Sequence, residues 1–231
     1  MRYDDVEDGL SRPMPAEPRF PKRSLESLRS TAATVCGIAL VALLAFAPRA
    51  QAGPAGDLIT QFDTALLGVM KDADRLGYDG RYKALDPVIK RVFNIPLMTR
   101  IIVGSPWAGW TETQRNQLVE AFGRFVVATY ARRFDGYNGE RFAVDGESPM
   151  QNGVLVKTTL LRRHDPPVVL NYLVLQNGAA WQTVDVFLTG TISEIATRRS
   201  EFSAVIRRDG FKGLLDTLER KTRALASNTG N

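Results

Sequence analysis

Residues 153–188 read GVLVKTTLLRRHDPPVVLNYLVLQNGAAWQTVDVFL. Three runs rich in β-branched and aromatic side chains alternate along this stretch, at 153–163, 168–176 and 180–188. His164-Asp165-Pro166-Pro167 and Asn177-Gly178 separate them. Alternation with period two between turn residues is the signature of half-buried strands. Asn-Gly between two such runs is a two-residue hairpin signal, so the last two strands are expected to be antiparallel neighbours. A further run at 141–147, closed by Gln151-Asn152-Gly153, puts one more strand in front. The centre of the chain therefore reads as an antiparallel meander of about four strands.

On either side the period changes to that of helices. Upstream, Leu58, Phe62, Leu66, Val69 and Ala73 recur at spacings of three and four, with Asp57 as a candidate cap and Gly77 as a stop. Residues 79–104 read as two or three short helices punctuated by Pro87 and Pro96, each expected in a first turn. The clearest helix covers about 112–134. Thr111 and Gln114 form a capping box, and Leu118, Phe122, Phe125, Val126, Thr129 and Tyr130 make one face. After the meander, helices are expected over about 192–208 and 211–225, with Gly210 between them, and residues 228–231 form a tail. Helices, then a meander, then helices is the order of an α+β domain, with helices packed on the concave side of one curved sheet.

The first 52 residues are of a different kind. Residues 31–47 are an uncharged apolar run, preceded by Lys22, Arg23 and Arg29 and followed by Ala50-Gln51-Ala52. A positive segment, an apolar segment and a small-residue site make a secretory signal, with cleavage expected after Ala52; retention as an anchor is the alternative. Residues 53–231 then form a single domain large enough for a real core. The one cysteine, Cys36, leaves with the signal, so the exported domain carries no thiol and no disulfide. The chain has 30 Lys and Arg against 25 Asp and Glu, a net charge of +5 mixed along its length, which does not call for nucleic acid.

Catalytic chemistry is sparse. One histidine, His164, sits in a turn, and with a single cysteine this excludes zinc, haem and copper sites. No nucleophile elbow, dinucleotide fingerprint or phosphate loop is present. Ser105, before Pro106, reads as a plain turn. Carboxylates look solvated, apart from Asp185 in the apolar run WQTVDVFL. That acid is read as a structural group held by backbone N–H groups or by a nearby tyrosine or arginine. No cofactor is called for.

The C-terminal stretch WQTVDVFLTGTISEIATRRSEFSAVIRRDGFKGLLDTLERK couples a W-x-x-x-D-V strand, a G-T-I-S turn, an R-x-x-F helix and a G-F-x-x-L-L-x-x-L helix. With IPLMTRIIVGSPW, the WTETQR helix start, FxxFVVATY and VVLNYLV upstream, it resembles the MlaC family of periplasmic lipid carriers, also called toluene-tolerance proteins. The resemblance runs over nearly all of residues 57–222. ARRFD running into YNGExF, and GTISE with Thr191 and Ile192 where the phospholipid branch is expected to have Val-Ser, look closer to the hopanoid-associated branch, HpnM. The resemblance implies an NTF2-like arrangement of helices and curved sheet around an apolar cavity. It also implies a lipid ligand of hopanoid type shuttled between an inner-membrane transporter and the outer membrane, with transient contact at the membrane surface. For such a cavity the candidate lipid-binding residues are Phe93, Leu97, Ile101, Phe122, Val126, Tyr130, Val156, Leu170, Tyr172 and Phe187. A glycerophospholipid carrier, an enzyme on the same scaffold using Asp185 with Tyr172, and a secreted domain with a filled core stay open beside it. Four arginine doublets, at 132–133, 162–163, 198–199 and 207–208, are either solvated or a docking surface for an acidic partner.

Overall fold

The computed structural model describes residues 53–227; the expected signal segment with Cys36, and the tail at 228–231, lie outside the described residues. Helix α1 spans Pro54–Lys71, starting four residues earlier than a cap at Asp57 would allow. Its N-cap is Gly53, which has no side chain to offer, and Pro54 supplies the first turn with a preset φ. The missing cap comes from far along the chain: the Glu147 carboxylate accepts the Gly56 N–H at 2.8 Å. Helix α2, Ala73–Val92, breaks at Gly77, whose φ of 58° is open to glycine and costly for other residues. Pro87 lies inside this helix and not in a first turn, so that expectation fails. Pro96 does fall in the first turn of α3, Ile95–Val103, where Asn94 caps by accepting the Leu97 N–H. Ser105 opens a single 3-10 turn, Ser105–Gly109.

Helix α4, Glu112–Arg133, starts on the capping box read from Thr111 and Gln114, with both reciprocal bonds formed. Its far end is held by Arg81, a buried arginine whose guanidinium donates to the carbonyls of Ala131 at 2.9 Å and Ala73 at 3.2 Å. A cation at helix C-terminal carbonyls satisfies acceptors that the helix leaves orphaned and complements its dipole.

The sheet is antiparallel, in the order β1-β2-β3-β4-β5: Arg141–Met150, Gly153–Leu161, Val168–Asn177, Ala180–Leu188 and Ile192–Ser193. Pro149 is tolerated because β1 is an edge. Gly153 is required by space, since a Cβ there would lie 2.3 Å from the Val174 carbonyl oxygen. The β3–β4 turn uses Gly178 and Ala179, one residue later than the Asn-Gly pair. Ile192 and Ser193, expected to begin a helix, instead pair with Leu188 and Phe187 as a short fifth strand, and α5 (Glu194–Ser227) follows, kinked at Gly210. Helix α1 packs on β1, β2 and β4, and α4 packs against α2, α3 and α5.

Candidate functional site

Between α4, the start of α5 and the concave face of the sheet lies a cavity of about 390 Å³. Helix α4 lines it with Phe122, Phe125, Val126, Thr129, Tyr130 and Arg133, an unbroken stripe at helical spacing. The sheet contributes Leu160, Val168, Leu170, Tyr172, Val186 and Leu188, which stand on one face by register: Leu160 opposite Val168, Leu170 opposite Leu188, Tyr172 opposite Val186. Phe93 and Met98 come from the α2–α3 corner, and Glu194, Ile195 and Arg198 from the first turns of α5. The size falls within the range of about 300–1,000 Å³ usual for small-molecule sites. A knot of rings backs the inner wall: Phe62 meets Phe93 at 5.4 Å, Tyr130 at 5.5 Å and Tyr172 at 6.1 Å, in edge-on geometries.

Of the ten residues named from sequence, Phe93, Phe122, Val126, Tyr130, Leu170 and Tyr172 line the cavity. Four do not. Leu97 and Ile101 are candidates alongside Phe93, but Phe93 is the extended C-cap of α2, bridged to Thr183, and a new helix begins only at Ile95. The buried face of α3 is therefore Ile95, Met98, Thr99, Ile102 and Val103. Val156 stands opposite Tyr172 on the concave face but is packed solid in the core. Phe187 is displaced by a bulge: the register steps from Leu173–Asp185 to Val174–Thr183, which leaves Val184 unpaired. One extra residue exchanges the faces of everything beyond it, so Val186 and Leu188 point in where Phe187 was expected.

The same bulge separates Asp185 from Trp181 and from Tyr172. Asp185 pairs opposite Leu173, on the other face of the sheet from Tyr172, so the two cannot act together as acid and base. Its carboxylate accepts the N–H groups of Val186 at 2.7 Å and Ile195 at 3.1 Å, and the Ser193 hydroxyl at 2.5 Å. Ser193 in turn accepts the Ala196 N–H. Asp185 thus fastens the N-terminus of α5, the turn that carries Glu194, Ile195 and Arg198, to the sheet.

Charge gathers where the cavity opens. Arg198 pairs with Glu194 and Glu201, and its guanidinium lies 5.3 Å over the Phe125 ring. Arg133 is exposed and makes no ion pair among the described residues. This is general to the doublets: Arg132, Arg162, Arg198 and Arg208 each hold a nearby carboxylate, and the other arginine of each doublet does not. His164 lies exposed beside a second, polar recess between residues 137–140 and 162–165. Among the described residues no cluster of His, Cys, Asp or Glu could hold a metal ion, and no helix is long and apolar enough to cross a membrane.

One acid escaped the sequence reading. Asp63 occupies a core position of α1 between Ile59 and Leu66, is 4% exposed, and neither carboxylate oxygen has a hydrogen-bond partner among the described residues. Burial pushes its carboxyl up to about 8. The signal for it is its place one turn beyond Ile59 and three residues before Leu66.

A curved sheet roofed by helices over an apolar cavity, open at a charged rim, defines a protein built to enclose an apolar guest. The chain belongs to the MlaC protein family, whose model matches residues 60–220. Among solved structures it is similar to the phospholipid-binding protein from Ralstonia solanacearum in complex with a phospholipid, at 22% identity and a TM-score of 0.67, over 76% of this chain and 100% of that one. The likeness covers the α+β fold described above. No curated protein matches the sequence.

Proposed function

We propose that this protein is a periplasmic, non-catalytic carrier that encloses a lipid of hopanoid type in the α4–sheet cavity and shuttles it between an inner-membrane transporter and the outer membrane, touching the membrane surface in passing. The observation that carries the reading is the cavity itself: a space of about 390 Å³ walled mainly by aromatic and aliphatic side chains, with Arg133, Glu194 and Arg198 as the charged residues of its lining. Exposing a lipid to water costs about 0.8 kcal/mol per methylene, so a sixteen-carbon chain would cost roughly 12 kcal/mol to move unshielded. An apolar lining removes that cost in transit. A rigid fused-ring lipid also loses less conformational entropy on capture than a flexible chain. Family membership, and a fold shared with a protein whose ligand is a phospholipid, support the carrier reading. Export by cleavage after Ala52 belongs to the same proposal.

A glycerophospholipid is the second reading, favoured by Arg133 and Arg198 at the rim, where an anionic headgroup would sit. Native mass spectrometry of the purified protein, followed by lipid extraction, separates the two. A bound polycyclic lipid is the expected result, a bound phospholipid transfers the assignment to the second reading, and an empty protein that takes up neither lipid refutes both.

A further inference from the structure

The polar groups of the cavity's lining are of two kinds. Arg133, Glu194 and Arg198 carry charge, Arg133 at the exposed end of the α4 stripe. The inner end, backed by the Phe62 ring, carries hydroxyl groups, with Arg133 one helical turn beyond Tyr130. Tyr130 and Tyr172 line it, Tyr172 at 1% exposure, and neither hydroxyl has a hydrogen-bond partner among the described residues. Around Tyr172 on the concave face, Thr158 and Thr183 are fully buried with unpartnered hydroxyls. By register both are diagonal neighbours of Tyr172, Thr158 opposite Leu170 and Thr183 opposite Val174. Asp63 follows Phe62, whose ring touches both tyrosines, and its two oxygens are unpartnered as well.

Buried polar groups are nearly always satisfied, so the unpartnered hydroxyls of Tyr130 and Tyr172 in the lining call for a guest, while Thr158, Thr183 and Asp63 lie behind it. The kind of guest follows from the protonation states. Burial raises both tyrosine hydroxyls above their ordinary value and keeps the Asp63 carboxyl neutral up to about 8. At neutral pH the inner end therefore offers uncharged donors in a water-poor setting. A hydroxyl or carbonyl can pair with these donors without bringing a charge into the apolar wall, whereas the methyl end of an acyl chain would leave the donors unpaired.

We propose that the inner end, built on Tyr130 and Tyr172, is a hydrogen-bonding subsite for one uncharged oxygen, a hydroxyl or carbonyl, on a lipid that enters oxygen first. This rests on the cavity being a lipid site and names the chemical class it selects: a polycyclic alcohol or ketone, held by its oxygen, with its hydrocarbon body against α4 and the sheet.

The test compares hopan-22-ol with hopane, which share a skeleton and differ by the hydroxyl, and uses dioleoylphosphatidylglycerol as a third probe. Each is offered from cyclodextrin to the delipidated protein. The alcohol is expected to bind about tenfold more tightly than the hydrocarbon, the size of one added net hydrogen bond. In the double variant Tyr130→Phe/Tyr172→Phe, with folding checked by circular dichroism, the ratio is expected to fall to one. Equal binding of alcohol and hydrocarbon by the wild-type protein would overturn the subsite while leaving the cavity a lipid site, and that comparison needs no variant. A preference that survives in the folded double variant would place the oxygen elsewhere and overturn it too. Binding of none of the three probes would overturn the lipid reading and the subsite together.

Discussion

Asparagine at position 63 is expected to make the protein more stable at neutral and alkaline pH, and to leave it unchanged near pH 4. Asp63 is buried in the middle of α1 with no partner for either oxygen, so the folded protein tolerates its carboxyl only when neutral. The folded value lies at about 8, against 3.8 for the free side chain, and the cause is desolvation. Below pH 4 both folded and unfolded chains hold the proton, and the group favours neither. Between about 4 and 8 the unfolded chain releases the proton while the folded one keeps it, so stability falls as pH rises. The slope is about 1.4 kcal/mol per pH unit, and the loss levels off above pH 8 at something on the order of 5 kcal/mol. Water entering a relaxed core would lower that figure. Asparagine has nearly the shape of the neutral acid and cannot ionise, so the variant should escape the slope. Urea unfolding of both proteins from pH 4 to 9, compared as a difference, isolates Asp63 from every other titrating group. Two curves running parallel across that range would show that Asp63 does not titrate as a buried group, and the account of the inner wall would lose its neutral acid.

Three further outcomes follow from the geometry. Val126→Trp should fill the cavity and abolish lipid uptake while circular dichroism keeps the wild-type shape; uptake by the folded variant would move the site away from α4. Gly153→Ala should cost about 1–3 kcal/mol in chemical denaturation, since the new Cβ meets the Val174 carbonyl oxygen in the β2–β3 pairing; an unchanged midpoint would refute the close approach. Asp185→Ala should cost about 2 kcal/mol or more by stranding the N–H groups of Val186 and Ile195. Faster amide exchange should then be confined to the start of α5, and uniform exchange throughout the protein would contradict a local fastening role.

The parts of this protein that depend on neighbours in sequence were legible in the sequence. The capping box of Thr111 and Gln114, the stop at Gly210 and the alternation of the meander are local, because each is decided by side chains and dihedrals within a few residues. The stripe Phe122, Val126, Tyr130 follows from helical period alone, as does the face it shares with Phe125 and Thr129, and one more three-residue step adds Arg133. What depends on distant groups was not legible. Glu147 caps α1 from the edge strand, and no pattern near Gly53 announces it. The extra residue at Val184 is a property of pairing between β3 and β4, yet it exchanges faces on that strand, removes Phe187 from the cavity and sets Asp185 apart from Tyr172. Asp63 is spelled like any surface acid on an amphipathic helix. Only the packing of α1 onto the sheet takes it out of water, and burial, not residue type, makes its carboxyl neutral. The sequence by itself determined the elements, their order and an apolar interior, because propensity and period act over short range. The tertiary structure alone decided which of those apolar residues surround empty space and which polar groups face it, because both depend on where separate elements meet.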